Sequence, residues 1–361
     1  MSLVLDDSLF DDPQRLAAAD AGGALRQAAL AGAQVRSAWE VAAEADLGEL
    51  GEQRPRAVVL LARPGVAPAA HRLLAALAAP TAPCPVVLAD VMPPWVGPLD
   101  VVLAHTEQEG DSPLAEAVAE ATRRGAAVVL TSGSEGPVAA AGAGRAKMLS
   151  PRVPVPAPLT FGHVFAAGLR VLVELGLLRC DGDELADELD AEAERSRPDN
   201  EPATNPAKSL ALRLADRSPL LWGLDPVSAA AGAHGAFALA AHAGLLCDAA
   251  ELSQAATRPA LHRAATAGTS ERDLFADPED QAAALRVFLV SARYDLHAEA
   301  GERAAVESLP GADLVTPGEA VRDDAVLRSA LLAVRFDLAA VYLGLAAGTA
   351  HGSGPQAFAL R

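Results

Sequence analysis

Thr131, Ser132, Gly133, Ser134 and Gly136 fall within the segment 131–136. Hydroxyls and glycines this close together can offer side-chain and backbone donors to a phosphate, above all where a helix begins next. The segment 104–113 has part of the same equipment, in Thr106, Gly110, Ser112 and Pro113. Ser112 followed by Pro113 reads as an N-cap with Pro at the first helical position. Yet Glu107, Glu109 and Asp111 crowd the same loop. A carboxylate beside a helix N-terminus complements the helix dipole and takes the place a phosphate would want. The segment 62–69 has one glycine, Gly65, and no hydroxyl. Thr106 and Ser132 are therefore the first expected phosphate contacts.

Proton-transfer candidates are sparse. His262 stands between Arg258 and Arg263 and is expected in a Pro-bounded loop, where a histidine near cations suits acid–base work. His163 and His242 fall in apolar helical segments and are expected to be packing residues. Cys84, Cys180 and Cys247 are far apart and lack C-x-x-C spacing, and no H-E-x-x-H occurs, so neither disulfide nor zinc is expected. Asp181, Asp183 and Glu192 match three positions of a calcium loop. Leu185 and Ala186 stand where that loop needs a ligand and a glycine, which favours a solvated acidic helix. The run 141–147 lacks the third glycine of a dinucleotide fingerprint, and Ser132 stands where a nucleophile elbow needs its first glycine.

The elements that must position these loops read as a repeating grammar. Short Val/Leu-rich runs within 56–65, 84–90, 99–106 and 126–133 alternate with helical segments. Continuous apolar runs of this kind mark strands buried on both faces, hence a parallel sheet between helix layers. The pattern resumes after 205. The fold expected is α/β, with two flavodoxin-like three-layer α-β-α units and helices before the first. The boundaries expected are 1–50 for the N-terminal helices, 51–180 for the first unit, 181–205 for an acidic then Pro/Asn-rich connection, and 206–361 for the second unit with a long closing helix. A long apolar helix is expected over 159–178.

The formal net charge of −18 over 361 residues argues against nucleic acid or an anionic membrane as partner. It leaves room for a small anion held by local donors. Lys147 and Lys208 are the only lysines, so positive charge falls mainly to arginine. The N-terminus lacks the basic and apolar regions of a signal peptide, and no charge-free apolar run reaches about 18 residues. A cytoplasmic protein is expected.

Several segments together resemble the bifunctional phosphoglucose/phosphomannose isomerase family, a two-domain branch of the sugar isomerase (SIS) fold. They are 99–133, 159–178, 205–223 ("NPAKSLALRLADRSPLLWG") and 336–348 ("FDLAAVYLGLAAG"), in the family's order. The resemblance spans about 55–348. It implies a homodimer of paired SIS domains and a hexose phosphate or related phosphosugar as ligand. It implies aldose–ketose isomerisation with no metal or cofactor, in which a carboxylate moves a proton between C1 and C2 and a histidine assists ring opening. The family's S-x-S-G-N-T loop falls on Thr106, Glu107, Gln108, Glu109, Gly110 and Asp111, so one hydroxyl of three survives. Val66 stands where a serine is expected, and Ala157-Pro158 where the family has Pro-Arg. No glutamate stands within 239–244, where the base motif falls, and no lysine follows Lys208.

The function this implies is a SIS-fold phosphosugar-binding protein without the standard catalytic set, with Thr106, Gln108, Ser132, Gly133 and Ser134 as substrate contacts. One alternative is an active isomerase, with Glu251 or Glu107 as base and His262 assisting. Another is a dimeric scaffold that binds no sugar.

Overall fold

The computed structural model describes residues 5–108, 110–267, 284–318 and 321–349. Glu109 lies outside them, and so do residues 277–283 of the stretch 277–284 ("DPEDQAAA"), which reads as helical from its sequence. Three helices come first: α1 (Pro13–Ala19), α2 (Ala24–Ala28) and α3 (Ala31–Glu44). The first sheet then alternates with helices as β1 (Ala57–Ala62), α4 (Ala67–Ala78), β2 (Val86–Ala89), β3 (Asp100–His105), α5 (Ser112–Arg123), β4 (Ala127–Leu130), α6 (Gly136–Gly142) and β5 (Lys147–Met148). Next come α7 (Phe161–Glu174), α8 (Gly182–Arg195) and α9 (Pro206–Leu214). The second sheet follows as β6 (Arg217–Gly223), α10 (Pro226–Ala238), β7 (Asp248–Glu251), α11 (Leu252–Ala255), α12 (Pro259–Ala267), β8 (Ala284–Val290), α13 (Leu296–Ser308) and β9 (Asp313–Val315), before α14 (Ala325–Ala346).

Both sheets are wholly parallel. Their orders are β2-β1-β3-β4-β5 and β7-β6-β8-β9. β3 is buried along its whole length, as its unbroken apolar run requires. In each sheet the strand order reverses at the first strand of the unit. This puts one switch point between β1 and β3 and another between β6 and β8, where ligands of open α/β sheets bind.

α4 follows β1 and α10 follows β6, and these two helices pack on each other. One buried apolar cluster runs through both halves, from Val58 on β1 to Phe288 on β8. α14 is at its centre, with every residue from Val326 to Ala346 buried. It is long and apolar enough to cross a bilayer, yet all of that apolar stretch is enclosed by the fold. It packs on α2, α8, α9 and α10. Gly235 of α10 makes this contact close, since a Cβ there would stand 2.7 Å from the Phe336 ring. The charges α14 carries are all answered. Arg328 donates to the carbonyls of Ala292, Gly318 and Val321, Arg335 pairs with Glu192 at 2.6 Å, and Asp337 meets His234 at 2.8 Å.

Several local expectations change. The helix expected over 159–178 is shorter, because Gly176 turns the chain at φ +69°. Asp181 is the N-cap of α8, accepting from the Asp183 and Glu184 N–H groups, so 181–192 is helix and not a calcium loop. That helix is not simply solvated: Glu192 is fully buried against Arg335. Within 181–205, expected as a connection, α8 packs on α3 and α14. Pro259 starts α12 from its first position, so His262 lies on a helix and not in a loop.

Candidate functional site

The β1/β3 switch crevice is filled by the chain's own charged side chains. Arg63 leaves the end of β1 and its Nε donates to Asp111 Oδ2 at 2.8 Å. Asp111, not Ser112, caps α5, with Oδ1 accepting from the Leu114 N–H at 3.0 Å. Thr106 Oγ1 donates to the same Asp111 carboxylate at 3.2 Å. Thr106 and Asp111 are both buried, so the Thr106 hydroxyl is committed to an internal carboxylate.

Glu107 completes the filling. Its Oε1 accepts from the Val66 N–H at 3.3 Å, where α4 starts, and from Thr160 Oγ1 at 3.2 Å, where α7 starts. Its Oε2 stands 2.6 Å from where a Cβ on Gly65 would lie. Gly65 also has φ +136°, a conformation only glycine adopts without strain. A carboxylate thus sits against the backbone turn and helix N-terminus where an anion would be received. Burial pushes the Glu107 carboxyl above its usual range, against the opposing pull of the Val66 N–H and the Thr160 hydroxyl.

Beneath this crevice three buried histidines meet. His105 Nδ1 lies 2.8 Å from Thr131 Oγ1, and His163 Nε2 lies 3.3 Å from the Thr131 carbonyl. His71 has neither ring nitrogen in a hydrogen bond. Burial lowers His71 and His163 to about 4. Burial first, then the neighbouring His163 and His71, lowers His105 to about 3. All three are neutral at pH 7. Among the described residues, no three His, Cys, Asp or Glu side chains are placed to hold a metal ion.

The β4 turn offers what is left. Ser132 Oγ is buried with no hydrogen-bond partner, while Ser134 is exposed and Gly133 lies between them. Gln108 is exposed at the lip of the first crevice. Glu251 and His262 lie in the second unit, on β7 and α12. Glu251 ends β7 and accepts from Ser253 Oγ at 2.7 Å. His262 stacks on Trp222, with ring centroids 6.2 Å apart. Among the described residues no hydrogen bond joins Glu251 to His262.

The β6/β8 crevice is closed differently. Asp225 caps α10, and Ser228 Oγ donates to its carboxylate at 2.6 Å while accepting from the Ala292 N–H at 2.9 Å. A Cβ on Gly223 would stand 2.0 Å from the Ala229 nitrogen, so α10 begins directly against the strand end. Sequence reasoning did not find Arg63 or Thr160. Arg63 carried one signal, as the first charged residue past a buried strand. Thr160 carried none, because its role depends on where α7 lies.

No protein family and none of the curated proteins matches the chain by sequence. Solved structures do match. A Silicibacter pomeroyi protein assigned as a phosphosugar isomerase aligns with TM-score 0.60 at 18% identity, over 89% of this chain and 96% of its own. Tagatose-6-phosphate ketose/aldose isomerase from Escherichia coli aligns with TM-score 0.60 at 12% identity, over 92% and 95%. The C-terminal domain of glucosamine-fructose-6-phosphate aminotransferase from Francisella tularensis aligns with TM-score 0.60 at 11% identity, over 90% and 96%. The paired parallel α/β units of this chain are therefore the SIS fold of the phosphosugar isomerases, shared at low identity.

Proposed function

We propose that this chain is a phosphosugar-binding protein of the SIS fold that lacks the standard aldose–ketose isomerase chemistry. The observation that carries the proposal is Glu107, seated on the Gly65 turn at the start of α4. The scaffold is that of sugar-phosphate enzymes over nearly its whole length. The Ser132–Ser134 turn and Gln108 are polar groups still free near the first crevice, while Thr106 is spent on Asp111. Two groups suited to proton transfer, Glu251 and His262, face other partners in the second unit. Loss of a positioned base costs orders of magnitude in rate.

The proposal includes a homodimer. Leu88 and Val91 are 46% and 69% exposed on and just after the edge strand β2, an apolar surface suited to a second copy.

One observation favours a second reading, an active isomerase with Glu107 as base. A buried carboxyl with a raised pKa in a switch crevice has the character of a catalytic base. A coupled assay with glucose 6-phosphate and mannose 6-phosphate at high protein concentration separates the two. We expect no turnover approaching about 1 per second. We also expect stabilisation by a phosphosugar of about 2.7 kcal/mol at a hundred times its Kd. Turnover that disappears in Glu107→Gln would replace the first reading by the second.

A further inference from the structure

With the first crevice occupied by carboxylates, an anion needs another seat. A groove of about 600 Å³ opens at the carboxyl ends of β4 and β5, against α3. Ser134, Lys147, Ser150 and Arg152 border it, with Glu44 and Met148. Its size falls in the range of small-molecule sites. We infer that this groove is an anion site, in which Lys147, Arg152, Ser134 and Ser150 hold the phosphate of a phosphorylated small molecule. The organic part of that ligand rests on the phosphosugar reading above; the anion site rests on the groove itself.

The cations are placed against the chain's general habit. The molecule has 47 acidic and 29 basic residues, and only two of the basic ones are lysine. Lys208 is fully spent, because its Nζ donates to the carbonyls of Phe10, Pro198 and Asn200. The other, Lys147, borders the groove together with Arg152. The present partners of this pair are Glu49 and Glu44, whose side chains are 70% and 59% exposed. Such ion pairs are screened by water and hold weakly. A phosphate dianion can replace both glutamates, which turn into solvent and strand no buried charge. Charge-assisted bonds from a guanidinium and an ammonium to one phosphate are stronger than either surface pair.

The hydroxyls point the same way. Ser150 Oγ is shut off from water and has no hydrogen-bond partner. A buried polar atom in that condition calls for a partner that a ligand oxygen can supply. Ser134 stands exposed on the β4 turn, so the groove continues from the Ser132–Ser134 contacts already assigned to a sugar. A phosphosugar would lie with its phosphate at β5 and its hydroxyls toward that turn.

The test compares wild type, Lys147→Gln/Arg152→Gln, Thr106→Ala/Ser132→Ala and Glu44→Gln/Glu49→Gln. Each is titrated with inorganic phosphate and with glucose 6-phosphate, and binding is read by calorimetry. The inference expects phosphate affinity to fall at least tenfold in Lys147→Gln/Arg152→Gln and to survive in Thr106→Ala/Ser132→Ala. It expects affinity to rise severalfold in Glu44→Gln/Glu49→Gln, where the cations are released. Phosphate binding that depends on the groove, with no binding of glucose 6-phosphate, keeps the anion site and removes that sugar phosphate as its ligand. Binding of glucose 6-phosphate that survives Lys147→Gln/Arg152→Gln overturns the inference and leaves the phosphosugar reading standing. No binding of phosphate to wild type overturns the inference as well.

Discussion

The two switch crevices occupy the same place in their sheets and are shut by different means. At β1/β3 the filling is side chain: Glu107 on the Gly65 turn, and Arg63 on Asp111. At β6/β8 the filling is backbone, with the start of α10 pressed on Gly223 and Ser228 bridging to the Ala292 N–H. A side chain can leave by rotating about single bonds, whereas a helix start cannot leave without unravelling. The first crevice can therefore open by side-chain rotation alone, and the second only by unwinding the start of a helix.

The largest expected effect separates the crevices by acid. His71, His105 and His163 lie beneath the first, neutral down to about 4, 3 and 4, against 6.5 for a free ring. As pH falls, the unfolded chain takes up protons on these rings before the folded chain does. Stability is full above about pH 6.5 and drains as pH falls toward 4. Each ring contributes about 1.4 kcal/mol per pH unit, so three give about 4. Urea midpoints at pH 7 and pH 5 should differ sharply, and His71→Leu should remove about a third of the slope. Equal midpoints at the two pH values would show that the rings are not buried as described.

Next in size is a glycine pair. Gly223→Ala would force a Cβ into the Ala229 backbone and should cost about 3 kcal/mol or more. Gly65→Ala meets a movable carboxylate and a strained φ, for about 1–3 kcal/mol. Part of that cost should vanish in a Glu107→Ala background. Chemical denaturation of the single and double variants reads all of this. Equal costs at the two glycines, with no relief from Glu107→Ala, would erase the distinction between side-chain and backbone closure.

The smallest effect is at Glu107 itself. Its carboxyl is raised in the folded chain, so the unfolded chain ionises first as pH rises. The stability it allows is full below about pH 4.5 and is lost on going up. Glu107→Gln should change stability by no more than about 1 kcal/mol, with a difference that grows in favour of Gln toward neutral pH. A variant clearly less stable than wild type at pH 8 would assign Glu107 a structural role larger than the one drawn here.

The architecture was legible in the Val/Leu runs, because strands buried on both faces cannot hide their composition. The carboxylates of the 104–113 loop, and their conflict with a phosphate at a helix N-terminus, were also plain in the sequence. The partners of those carboxylates were not legible. Glu107 reaches Val66 and Thr160, which lie 41 and 53 positions away along the chain. Such contacts are set by how α4 and α7 pack, and local spacing carries no trace of that. The acidic segment after 180 looked solvent-facing for a related reason. Charge density showed in the sequence, as did the nearby Arg195 that also pairs with Glu192, but the second arginine on Glu192, Arg335, comes 143 positions later.

α14 also bears on how the chain is made. The helix at the centre of the shared core comes after the other described elements in chain order, and so leaves the ribosome after the helices it packs on. It receives the Asp6 N–H at Ala346 and sets Tyr342 edge-on against Phe10, so residues 6–10 wait for it too. Until residues 325–346 emerge, α2, α8, α9 and α10 have apolar faces with nothing to cover them. Those faces need protection from aggregation for as long as the ribosome takes to reach α14.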